Sequence, residues 1–159
     1  MNKAIFSLCL LLLTGLSVSA QAPKNIKGVY QHWLDEDVIY LIAPEERLTF
    51  LALNTDEERE HFIEQFWRRR DPNPQTEENE FREQYYLRIA HANMTFGFGK
   101  TAGWKTDRGR IYIIYGAPDE VEQQGLAETW QYHYRPVFRG DAKFQFVDLN
   151  RTGEFRLRQ

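Results

Sequence analysis

Asp107, Asp119, Glu128 and His133 are the residues of this 159-residue chain whose types and spacing could do chemistry. Asp107 and Asp119 flank an apolar run, residues 110–115. Two carboxylates whose pKa values are driven apart can act as general acid and general base. Glu128 and His133 would supply further proton carriers, and the set would suit an extracytoplasmic hydrolase or glycan-processing enzyme if the carboxyls lie within about 10 Å of each other. The same residues have a plainer reading. Asp107 sits in Thr-Asp-Arg-Gly and Asp119 follows Pro118, settings in which a short carboxylate accepts hydrogen bonds from nearby turn amides. Spacing alone supplies no convergent geometry, so the plainer reading is preferred.

Other chemistries are removed by residue type. Cys9 is the only cysteine, and Ser7, Ser17 and Ser19 are the only serines. All four fall in the first 20 residues, so a chain cleaved after Ala20 has no disulfide, thiolate ligand, cysteine nucleophile or Ser-His-Asp triad. Gly99-Lys100-Thr101 suggests a phosphate loop, but position 94, where that loop needs glycine, is Met94. His32, His61, His91 and His133 are widely spread, and none forms the paired helical zinc signature. No metal or cofactor is expected.

Arg68, Arg69, Arg70, Arg108 and Arg110 could form a patch for a polyanion. The preferred reading is that Arg70 or Arg108 pairs with an acid such as Asp71, Glu80 or Asp107, because the guanidinium fork matches a carboxylate. Trp104, beside Gly103, could anchor a partner, although an aromatic next to glycine at a junction more often packs inside. The net charge of −3 argues against nucleic acid, which calls for a strongly basic face.

The elements that must position these residues follow from local signals. Lys3, an apolar stretch over residues 4–18 and the small residues Val18-Ser19-Ala20 read as a secretory signal peptide cleaved after Ala20. Residues 21–28 form a polar leader expected to be disordered. Residues 29–159 form a single domain, with no later stretch apolar enough to span a membrane. Residues 38–42 are short, β-branched and apolar, a buried strand or the start of the next helix. Pro44 then opens a helix with Leu48, Leu51 and Ala52 on one face. Thr55 and Glu58 form a capping box ahead of Phe62, Ile63, Phe66 and Trp67. Asp71-Pro72-Asn73-Pro74 stops that helix, and a third restarts after Thr76 with Phe81, Tyr85, Ile89, Ala92 and Phe96 as its buried stripe, ending at Gly97.

Beyond residue 104 the period changes. Residues 110–115 are apolar on both faces, which predicts a central strand. Residues 128–134 alternate Trp130, Tyr132 and Tyr134 against Thr129, Gln131 and His133, a half-buried strand. Residues 143–149 and 154–158 bracket a hairpin turn with Gly153 at a positive φ, and Phe144, Phe146, Phe155 and Leu157 face inward. The sum is an α+β fold: about three N-terminal helices, to about residue 97, packed on a C-terminal antiparallel sheet of about four strands.

Several of these positions recur together. Phe66-Trp67, Arg70-Asp71-Pro72, Pro74, Asn79-Glu80-Phe81, Gly103-Trp104, Thr106-Asp107-Arg108-Gly109-Arg110-Ile111-Tyr112-Ile113, Gly116 and Pro118-Asp119 fall as they do in the GWxTD-domain family, which this chain resembles closely over residues 30–122. The resemblance implies an exported bacterial protein and carries no biochemical activity with it. It makes Gly103, Trp104, Thr106, Asp107, Arg108 and Arg110, with Arg70 and Asp71, the candidate interaction residues. Two functions stay open. One is a periplasmic or secreted module that binds another envelope protein, through an open sheet edge or the turn over residues 103–110. The other is the enzyme that Asp107, Asp119, Glu128 and His133 would build.

Overall fold

Thr55 and Glu58 form the capping box as expected: Thr55 Oγ1 accepts from Glu58 N at 3.1 Å, and Glu58 Oε2 accepts from Thr55 N at 3.0 Å. The computed structural model in which this is seen describes residues 26, 28–135 and 139–158. The expected signal peptide and most of the expected leader lie outside the described residues. Of the leader, Ile26 is buried and Gly28 begins the first helix.

The described residues form α1 (Gly28–His32), which runs on as a π-helical turn over Trp33–Asp37, then α2 (Pro44–Ala52), α3 (Asp56–Arg68), α4 (Glu80–Phe96), a 3-10 turn (Gly103–Lys105) and α5 (Asp107–Tyr115). Four strands follow, β1 (Glu120–Gln124), β2 (Ala127–Arg135), β3 (Gly140–Val147) and β4 (Arg156–Leu157), as an antiparallel meander in chain order. The fold is α+β, with five α-helices among the described residues rather than about three.

The largest correction is α5. Residues 110–115 are helical, not a central strand. Thr106 Oγ1 caps the helix by accepting from Gly109 N at 3.1 Å, Asp107 lies in the first turn, and Gly116 ends it at φ 84°. A short apolar run reads as a strand or as a buried helix by periodicity alone, and here the helix is wedged among α4, the 3-10 turn and β4. Residues 38–42 are neither the expected strand nor the start of the next helix: Val38 caps the π-helical turn, residues 39–41 form a turn, and α2 begins at Pro44. On α2 the buried residue is Phe50, while Leu48 and Ala52 are exposed.

One aromatic core joins helices to sheet. Trp33 packs on Phe50 and Phe66 with ring centroids 4.9 and 5.2 Å away, and Phe66 meets Trp67 at 5.1 Å. Farther along, Trp130 contacts Phe96 and Phe146, while Tyr115 stacks on Phe144. Burial of rings this large is the dominant stabilising contribution in such a core. It fixes which face of the sheet meets the helices, that of Trp130, Tyr132, Phe144 and Phe146. Tyr134, expected on that face, is exposed, because the β2–β3 register shifts between Tyr132 and Arg135 and Tyr134 takes φ 31°.

Candidate functional site

The sequence-predicted residues resolve into separate groups. Gly103, Trp104, Thr106, Asp107 and Arg110 share one junction. There the 3-10 turn lies directly on the backbone of α4: a Cβ at Gly103 would stand 1.8 Å from the Ala92 carbonyl oxygen. A Cβ at Gly109 would stand 1.9 Å from the Gly103 carbonyl oxygen, so α5 presses on the turn as closely as the turn presses on α4. Only glycine permits such approaches.

Thr106 works in both directions. Besides capping α5, its hydroxyl donates to the Gly103 carbonyl at 2.8 Å. Asp107 Oδ2 accepts from Leu157 N at 2.8 Å, tying the start of α5 to β4, and its other oxygen lies 3.4 Å from Arg110 Nη2. Trp104 is held by its backbone, N donating to Asn93 Oδ1 at 3.0 Å and the carbonyl accepting from Tyr40 OH at 3.0 Å. Its half-buried ring meets Tyr40 edge-on. Behind the motif, between Thr106–Arg108 and the hairpin around Gly153–Arg156, the cavity is about 20 Å³, room for a single water. The Trp104 backbone, the Thr106 hydroxyl and the Asp107 carboxylate are engaged within the fold.

Arg70 and Asp71 lie apart from this junction, and the Arg108 side chain leaves it. Arg108 reaches across to β2, 3.3 Å from Glu128 Oε2, with its guanidinium 4.2 Å from the centroid of Phe155. Glu128 Oε1 accepts from Trp130 Nε1 at 2.7 Å. Arg70 donates to Glu46 Oε2 at 2.6 Å and to the Phe66 carbonyl, with its guanidinium 3.7 Å over the Phe66 ring. The partners are therefore Glu128 and Glu46, not Asp71, Glu80 or Asp107. Asp71 accepts from Asn73 N in its own turn. Burial acts to raise the pKa of Glu46, but hydrogen bonds from Arg70, Ala43 N and Arg69 hold it down at about 2.

Asp119 and His133 form a third group, at the far end of α5. Asp119 accepts from Arg135 Nη2 at 3.1 Å and from His133 N, and the bond from Arg135 foremost holds its carboxyl below the ordinary range. His133 Nε2 lies 3.2 Å from Glu120 Oε1, a hydrogen bond that raises the His133 pKa. Asp107 and Asp119 are separated by the whole of α5, and eight residue steps of helix span about 12 Å. Glu128 and His133 stand about 16 Å apart along β2 at the usual rise per strand residue. No cleft gathers the four residues. Among the described residues, no group of three or more His, Cys, Asp or Glu is placed to hold a metal ion.

The features absent from the sequence reading lie on the surface. Leu87 and Met94, seven residues apart on α4, are 60% and 88% exposed. They line a groove of about 500 Å³ with Arg88, His91, Tyr112 and Ala117, where His91 stacks on Tyr112 at 4.4 Å. Val121, 58% exposed on β1, lies opposite Trp130, whose ring is 6.4 Å from Tyr112. Directly opposed strand residues project on one face, so Val121 lies on the helix-facing side of the sheet, at its open edge. The sequence signal was a second apolar stripe on α4, Leu87, Ala90 and Met94, beside the buried one.

Among the described residues, no helix is long and apolar enough to cross a membrane. Comparison with curated proteins and with solved structures finds no match. Comparison with protein families matches residues 16–157 to the GWxTD domain. With its motif forming the junction of α4, α5 and β4, and the match spanning nearly the whole chain, the protein belongs to the GWxTD-domain family.

Proposed function

We propose that this protein is an exported, non-catalytic protein-binding module of the bacterial cell envelope. We further propose that it binds through the groove on α4 and the adjoining β1 edge, not through the motif that names its family. The observation that carries the reading is the groove lined by Tyr112 and the exposed Leu87 and Met94, together with an exposed Val121 on an open strand edge. Apolar residues clustered around a groove mark interaction surfaces, whereas single exposed ones are ordinary. Export rests on Lys3, the apolar residues 4–18 and the small residues before Gln21.

The test is affinity capture from the envelope fraction, comparing the wild type with Leu87→Glu/Met94→Glu. Both positions are exposed, so the double variant keeps the wild-type circular dichroism. Proteins retained by the wild type and lost by the variant support the reading. Equal retention by both, or none by the wild type, overturns it. N-terminal sequencing of the protein from fractionated cells checks export: Gln21 as first residue is the expected result, and an intact Met1 in the cytosol contradicts it.

A further inference from the structure

The β1 edge also specifies the chemistry of what can lie along it. We propose that it takes an extended, basic segment of a partner protein, with Lys or Arg on either side of one apolar residue. This rests on the protein-binding reading above and names the class of partner.

β1 pairs with β2 on one side only, and among the described residues no strand pairs with its other side. All five of its residues are exposed. An edge of this kind presents a row of backbone donors and acceptors that an added strand can satisfy. Glu120 and Glu122 alternate with Val121, so both carboxylates project on the sheet face turned away from the helices. Among the described residues, the only cation within ion-pair distance of Glu120 is His133, and none is within that distance of Glu122. Asp141, 75% exposed and 3.8 Å from His133, adds to the acidity of that end. The lysine nearest in register, Lys143, lies on β3 opposite Gln131, two strands in from the edge.

These charges decide between occupants. A second copy of this chain, pairing antiparallel about Val121, would set Glu120 against Glu122 twice, and a parallel copy would also bring like charges together. A segment with Lys or Arg at alternate positions would meet a carboxylate at each. Its central residue would face the other way, beside Val121 on the helix-facing side of the sheet, which selects an apolar side chain. The carboxylates that keep copies of this protein apart thus admit a basic strand.

The experiment titrates the full-length protein into labelled nine-residue peptides centred on Lys-Val-Lys or Glu-Val-Glu and reads fluorescence anisotropy. Two cross-strand pairs changing from attraction to repulsion give an expected preference of about tenfold for Lys-Val-Lys. Glu120→Lys/Glu122→Lys reverses that preference, and N-methylation of the peptide amides facing β1 abolishes binding. Equal affinity for both peptides, no binding at millimolar concentration, a preference unchanged in the double variant, undiminished binding of the methylated peptide, or a wild-type dimer in sedimentation would each overturn the proposal. If Leu87→Glu/Met94→Glu loses partner capture while neither peptide binds, the protein-binding reading stands and the basic-strand proposal falls.

Discussion

Gly103→Ala adds one methyl group where the structure has no room for it. The new Cβ would lie 1.8 Å from the Ala92 carbonyl oxygen, 2.5 Å from its carbon and 2.7 Å from Asn93 Cα. All three are backbone atoms of α4, so no rotamer relieves the clash, and the 3-10 turn must retreat by more than about 1 Å. Overpacking of this kind costs about 1–3 kcal/mol. The retreat also stretches the bonds from Trp104 N to Asn93 Oδ1 and from Tyr40 OH to the Trp104 carbonyl, each 3.0 Å. Those bonds contribute about 1 kcal/mol apiece. The total is about 3–5 kcal/mol, a large share of the stability of an ordinary domain. Thermal unfolding followed by circular dichroism should show the midpoint falling by more than about 10 °C. Gly28→Ala is the control, since a Cβ there meets nothing within 4 Å, and should leave the midpoint within about 3 °C. A Gly103→Ala protein that melts with the wild type would refute the reasoning that the motif glycine exists for backbone contact.

Thr106→Val keeps the shape but removes both the α5 cap and the bond to Gly103, and should cost about 1–2 kcal/mol; Thr106→Ser should cost less than half of that in denaturant titrations. Glu46→Gln should cost about 2 kcal/mol near neutral pH, because it discharges the partner of Arg70. With the Glu46 pKa held at about 2, below its ordinary 4.5, its contribution is full above pH 4.5 and lost as pH falls towards 2. The stability difference between wild type and Glu46→Gln should therefore shrink through that window, and a constant difference would contradict the assignment. Glu128→Ala leaves the Arg108 guanidinium and Trp130 Nε1 without their shared carboxylate. It should cost about 2–3 kcal/mol in the same titrations and shift tryptophan emission, whereas Glu122→Ala on the exposed edge should do neither.

Local signals carried much of the fold. The Thr55 capping box, Pro44 at a helix start, the proline stop after Asp71 and the positive φ of Gly153 each depend on a few adjacent residues, and the structure has all four. The helix and π-helical turn over residues 28–37 were not read from the sequence, although Tyr30, Trp33, Leu34 and Val38 are buried there at helical spacing. α5 was misread because a run of Ile and Tyr favours strands by propensity, whereas its cap at Thr106 and stop at Gly116 favour a helix. The cap and the packing against α4 prevail.

The candidate site was less legible for a different reason. Arg108 with Glu128 and Arg70 with Glu46 are contacts 20 and 24 residues apart, and nothing local names one acid over another. Asp148, buried, accepts from Thr152 N and Gly153 N in its own turn and holds the last hairpin. Within the fold, the motif supplies two close glycine contacts, a helix cap and a carboxylate tied to β4.

The motif builds the junction of α4, α5 and β4, and the proposed partner surface lies apart from it. Partner capture by three folded variants tests that separation most directly: Trp104→Phe, Asp107→Asn and Leu87→Glu/Met94→Glu. Asparagine at position 107 can still accept from Leu157 N, and phenylalanine at 104 can still pack on Tyr40. The predicted result is that both motif variants retain the partners of the wild type while the α4 variant loses them. Loss of partners in Asp107→Asn or Trp104→Phe with full retention by Leu87→Glu/Met94→Glu would contradict it.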